Sequence, residues 1–195
     1  MDIALNAHVE CSDGPIGKVE NIIVNPAHER VTHLVVREND VDNTLRLIPE
    51  KMIQQSTKDK ITLWASKEKF RKAPDFLQEE FIPANIMLYL GEGVGDLPAT
   101  PASVRTLTED IPTGGMAIHH GAKVYAADGH IGKVDEFLME KKTGRITHLI
   151  LKEGHLWGKK EITLPVGAIE KYEEGNVYLK LDKKAVEQAP QLASA

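Results

Sequence analysis

The sequence predicts a mainly β protein: two small antiparallel β-barrels in tandem, each finished by a short C-terminal helix. Three observations predict it. The chain says the same thing twice, since Asp13-Gly14-Pro15-Ile16-Gly17-Lys18-Val19 returns as Asp128-Gly129-His130-Ile131-Gly132-Lys133-Val134. Arg30-Val31-Thr32-His33-Leu34-Val35-Val36 likewise returns as Arg145-Ile146-Thr147-His148-Leu149-Ile150-Leu151, at the same offset of 115 residues. Second, both copies consist of short β-branched runs punctuated by Gly and Pro, the pattern of a closed or nearly closed barrel. Third, with 195 residues, 42% of them apolar and 27% charged, the chain has the composition of an ordinary globular protein.

The repeat divides the chain. Residues 1–74 form the first copy, 75–115 a connector without a counterpart, and 116–195 the second copy. Pro49, Ile53 and Leu63 match Pro165, Ile169 and Leu179 at an offset of 116, so one loop has gained a residue. Lys67 matches Lys183, and Ala73-Pro74 matches Ala189-Pro190. Units of this size can fold alone, with small and marginal cores.

In the first copy, strands are expected at Ala7–Glu10, Gly17–Asn25, Val31–Arg37, Leu45–Ile48 and Ile61–Trp64. Ser12-Asp13-Gly14 reads as a turn in which Asp bonds its own backbone and Gly supplies positive φ. Ser66 is an N-cap for a short helix to Lys72. The second copy predicts strands at Ala122–Tyr125, Ile131–Glu140, Ile146–Glu153, Glu161–Leu164 and Val177–Leu181, then a helix capped by Asp182. Ile16, Val19, Ile131 and Val134 should point inward, with Lys18 and Lys133 outward. Gly17 and Gly132 should sit where a side chain would hinder close backbone approach.

Charge is uneven. Residues 1–74 carry 11 basic and 11 acidic side chains, and residues 116–195 carry 12 and 11. The connector carries Arg105 against seven acids, so it holds the acidity of a chain whose net charge is −5. Near-neutral copies argue against direct binding of a phosphate backbone. The connector reads as an acidic, Pro- and Gly-containing tether, partly docked through Phe76, Leu77, Phe81, Ile82, Ile86, Met87, Leu88 and Tyr89, or as a partner-binding peptide. No stretch of about 20 apolar residues predicts a membrane span. The first residues do not form a signal peptide. Cys11 is the only cysteine, which fits a reducing cytoplasm and an inert thiol.

A short strand, then Asp-Gly-x-Ile-Gly-Lys-Val, then a strand near Thr-x-Leu-Val-Val, then an Ile-Pro or Leu-Pro step, resembles the PRC-barrel family. That family is named for the H subunit of the photosynthetic reaction centre and includes the C-terminal domain of the ribosome maturation factor RimM. The resemblance covers residues 3–74 and 116–190. It implies a barrel of about six strands per copy and a module that binds proteins or scaffolds an assembly without general catalysis. The chain departs from both members: it has neither the membrane helix of the one nor the N-terminal domain of the other.

The expected function is therefore a cytoplasmic, non-catalytic interaction or scaffold module, with a protein partner of unknown identity and homodimerisation as a further expectation. A ribosome-assembly or RNA-processing factor acting through a ribosomal protein is one alternative, and a small-ligand or metal-binding protein another. The loop His155-Leu156-Trp157-Gly158-Lys159-Lys160 replaces the plain acidic-polar stretch Asn39–Thr44, and its mixed aromatic and basic character fits either a recognition hot spot or a Trp157 folded back over the end of the barrel or over the other repeat. His33 and His148 repeat in the central strands and are candidates for an interface or a pH-sensitive contact, against the simpler reading of a histidine bonded to a neighbouring carbonyl or carboxylate. His119, His120, His130 and His155 lack zinc-site spacing, so no metal or cofactor is expected. Gly91-Glu92-Gly93-Val94-Gly95 lacks the Lys-Ser/Thr of a phosphate loop, and no catalytic motif appears.

Overall fold

The computed structural model describes residues 1–83, 103–153 and 161–189. Its strands are β1 (Asp2–Ala4), β2 (His8–Cys11), β3 (Gly14–Asn25), β4 (Arg30–Glu38), β5 (Leu45–Pro49), β6 (Ile53–Ser56), β7 (Lys60–Leu63), β8 (Leu77–Pro83), β9 (Ser103–Glu109) and β10 (Met116–His119). There follow β11 (Lys123–Ala126), β12 (Gly129–Met139), β13 (Ile146–Glu153), β14 (Glu161–Pro165), β15 (Ile169–Glu173) and β16 (Asn176–Leu179). Two short helices, α1 (Lys67–Arg71) and α2 (Lys183–Glu187), close the copies. The protein is mainly β, as expected.

The sheets are not closed into barrels, which corrects the expected closure. One runs β5-β4-β3-β2-β7-β6 and the other β14-β13-β12-β11-β16-β15, each with open ends. Pro49 and Pro165 end β5 and β14, and a 3-10 turn then leads into β6 and β15. Proline has no N–H to donate, so the ladder stops at that corner. The pairs β2–β7 and β11–β16 are parallel, the others antiparallel. The low-hydrophobicity strands β6 and β15, and the very short β1 and β10, carry too weak a periodic signal for a sequence reading.

The two shortest strands decide the architecture. β1 pairs with β12, placing Ile3 opposite Phe137, and β10 pairs with β3, placing Ile118 opposite Ile22. Each copy therefore hands its leading strand to the other copy's sheet. The crossing points are equivalent: Asn6 has φ 71° and Gly121 φ 80°. This left-handed geometry suits Gly and is tolerated by Asn. The Leu5 N–H donates to the Asp135 carbonyl at 3.0 Å, and the His120 N–H to the Glu20 carbonyl at 3.2 Å. Ile3, Ile22, Ile118 and Phe137 are fully buried in one core that runs through both copies.

Matching irregularities shape both sheets. Register shifts fall between Val19 and Asn21 and between Val134 and Glu136. Each β-bulge adds a residue and bends the strand, and the bends leave Asn21 and Glu136 buried beside the exchanged strands. Ile16, Val19, Ile131 and Val134 are buried as expected. A Cβ on Gly17 would lie 2.0 Å from the Arg37 carbonyl oxygen, and one on Gly132 2.6 Å from that of Lys152, so both glycines mark close backbone approaches. The Asp-Gly turns do more than bond their own backbone. Asp13 Oδ1 accepts from the Lys67 N–H at 2.8 Å and Asp128 Oδ1 from the Lys183 N–H at 2.9 Å, so each turn holds the start of its copy's helix. Ser66 and Asp182 are the N-caps, as predicted.

The connector begins as part of the first sheet. The Leu47 N–H donates to the Pro74 carbonyl and the Phe76 N–H to that of Leu45, extending the sheet beyond β5. Phe76 is fully buried against Ile23, Val35, Leu47 and Ala117, with Leu45, Leu77 and Ile111 around it. The chain then forms the antiparallel pair β8–β9, in unbroken register from Leu77–Glu109 to Pro83–Ser103. Phe76 thus docks the start of the connector on the first sheet; residues 84–102 lie outside the described residues.

Candidate interaction site

The repeated histidines occupy equivalent, modest sites. His33 on β4 stands opposite Pro49 and His148 on β13 opposite Pro165. Nδ1 of each lies 3.1 Å from the hydroxyl of the preceding threonine. Those hydroxyls donate to the Ile23 and Leu138 carbonyls, at 3.3 and 3.1 Å. With its proton committed, each threonine oxygen can only accept from the imidazole, through Nδ1–H. The histidines are thus bonded locally, to a hydroxyl rather than to the expected carbonyl or carboxylate. Burial lowers the His33 pKa, Glu50 opposes this, and Lys51 adds to it. No contact joins His33 to His148 among the described residues.

His155, Leu156, Trp157, Lys159 and Lys160 lie outside the described residues, so the structure neither places them nor relates them to the histidines. Their counterpart in the first copy, the loop between β4 and β5, is a built turn. Asp40 accepts from both the backbone N–H and the hydroxyl of Thr44, at 2.9 and 2.8 Å, and these bonds hold its pKa below the ordinary value. The turn carries Val41 outward, 97% exposed.

Beside this turn lies an open cleft of about 420 Å³ between the first sheet and the β8–β9 pair. Its polar walls include Arg37, Asn43 and Asp75, and its apolar walls Leu45, Leu77 and Leu107. Leu107, on β9, is 62% exposed. Val41 and Leu107 are two of three large apolar side chains so exposed among the described residues; the third is Trp64. An ion-pair network anchors the cleft wall. Buried Glu38 receives Arg71 Nε at 2.6 Å and lies 3.9 Å from Arg46 Nε, while Arg46 also binds Asp75 at the connector's first turn. Sequence reading passed over Leu107 and Val41. The available signal was the β-branched run around Leu107, Val104-Arg105-Thr106-Leu107-Thr108, in a segment without a copy.

Among the described residues no three His, Cys, Asp or Glu side chains converge to hold a metal ion. No helix among them is long and apolar enough to cross a membrane.

A sheet of seven strands, six of them from the second copy, with an Asp-Gly turn, a glycine at the β12–β13 approach and a capped terminal helix, defines a small β module. The family model described as PRC-barrel domain matches residues 120–186. That span holds β11 to β16 and most of α2, and it excludes β1, the strand that the first copy contributes to this sheet. No curated protein matches the chain.

Proposed function

We propose that this chain is a non-catalytic protein-interaction or scaffold module built from two PRC-barrel-type copies, and that its partner docks at the cleft between the first sheet and the connector. The carrying observation is Leu107, exposed in the lining of a cleft whose polar residues Thr44 and Asp75 are held by Asp40 and Arg46, with Val41 exposed on the turn that supplies Asp42, Asn43 and Thr44 to that lining. Apolar side chains held out beside a polar rim are the usual anatomy of a binding surface. The match at residues 120–186 supports the module class for the second copy, and the repeated motifs extend the reading to the first. The cleft uses the connector, the part of the chain that has no copy.

The test is affinity purification of the tagged full chain from native lysate, with Leu107→Arg and Val41→Asp alongside. Both positions are exposed, so the substitutions should change stability by no more than about 0.5 kcal/mol. The wild-type chain should recover a specific protein that both variants lose. Equal recovery by all three would refute the docking site.

A further inference from the structure

Equivalent positions in the two copies permit a direct comparison, and one place breaks the equivalence in charge. A pocket of about 200 Å³ opens where the copies meet, bounded by the start of β4, the 3-10 turn after β5, and the β12–β13 turn. Arg30 and Lys51 enter it from the first copy, Lys141 and Lys142 from the second. Met1, Ile53 and Met139 supply an apolar wall. Glu50 is the one acid in the lining, 3.7 Å from Arg30 and thus already matched. Nearby Glu140 is not among the lining residues and accepts the Thr143 hydroxyl at 2.7 Å.

The counterpart of this place carries almost no charge. Lys141 and Lys142 correspond to Pro26 and Ala27, Lys51 to Gly167, and Glu50 to Val166. Arg145, matching Arg30, and Glu29, matching Gly144, are the charged residues there, and they pair with each other at 3.3 Å. The fold therefore does not require lysines here, since the same backbone is built without them. Lys51, Lys141 and Lys142 form no ion pair with any described residue. Cations that converge without carboxylates repel one another, a cost that a bound anion removes.

We propose that this pocket binds a phosphate group, carried by a small phosphate ester. Once Glu50 is set against Arg30, three lysine charges remain, which suits a dianion better than a single carboxylate. Arg30 offers a planar donor fork and the lysines offer mobile point charges, the combination that phosphate oxygens accept. The volume equals roughly six or seven water molecules at about 30 Å³ each, room for a phosphate and a short carbon stem. The apolar wall would face that stem. This site is separate from the cleft beside Leu107 and stands or falls independently of it.

The experiment is calorimetric titration of the full chain at low salt with inorganic phosphate, pyrophosphate and propyl phosphate. The proposal expects saturable one-site binding, with propyl phosphate tighter than inorganic phosphate. Lys51→Gln, and Lys141→Gln with Lys142→Gln, should each weaken binding at least about tenfold, the loss of charge-assisted hydrogen bonds. Lys123→Gln, outside the pocket, should leave affinity unchanged, and all variants should melt as the wild type does. Absence of saturable binding overturns the site. Equal weakening by Lys123→Gln also overturns it, because that is attraction to general surface charge.

Discussion

Arg30 and Arg145 face each other in an isolated antiparallel bridge, equivalent residues of the two copies meeting at the line that relates them. On either side the Val31 N–H donates to the Gly144 carbonyl at 3.2 Å and the Ile146 N–H to the Glu29 carbonyl at 2.7 Å, again an equivalent pair. With the reciprocal strands β1 and β10, this contact joins the copies through backbone hydrogen bonds at three places.

One consequence is cooperative unfolding. A core that runs through both copies, tied by exchanged strands, should melt as a single unit. Urea denaturation followed by far-ultraviolet circular dichroism and by tryptophan fluorescence should give coincident transitions. Ile118→Ala should cost about 2–5 kcal/mol and shift both probes together. Separate transitions would refute the shared core.

Glu136 sets a pH dependence. It is 2% exposed, and burial first, then Asp2, raise its pKa from 4.5 to about 7, with Lys58 opposing and Asp135 and Glu161 adding. Between these values the folded protein keeps a proton that the unfolded chain releases. Its contribution to stability is therefore present below pH 4.5 and is lost as pH rises through about 7. Glu136→Gln, neutral throughout, should gain roughly 2–3 kcal/mol over wild type on going from pH 4 to pH 8. Urea melts of both proteins at the two pH values measure this. An unchanged difference would remove Glu136 as the cause.

Gly17→Ala and Gly132→Ala should both destabilise, the first more severely. The added methyl would meet backbone oxygens at 2.0 and 2.6 Å, and neither Arg37 nor Lys152 can move its carbonyl without distorting the β3–β4 or β12–β13 ladder. A loss of about 3 kcal/mol or more is expected at Gly17. Thermal melting of the pair, with Gly167→Ala as an open-space control, checks the order.

Cys11 should be silent in the folded state. It is buried, and burial followed by the Asp13 charge raises its pKa to about 11. Thiolate is the reactive form, so labelling by an aromatic disulfide reagent at pH 8 should be slow and should accelerate with urea in step with unfolding. Rapid labelling of the native protein would contradict the burial.

The sequence by itself determined the mainly β class, the inward row of Ile16, Val19, Ile131 and Val134, the close approach at Gly17 and Gly132, and the Ser66 and Asp182 caps. Each is a local matter: alternation, turn chemistry or steric size can be read within a few residues. Only the tertiary structure decided where β1 and β10 go. Ile3 and Ile118 are apolar whichever sheet they join, so hydrophobic pattern records that a residue is buried but not against whom. The same limit hid the cleft at Leu107 and the cationic pocket. Lys51 lies 90 positions from Lys141, and only the crossing of the copies brings their charges to one place.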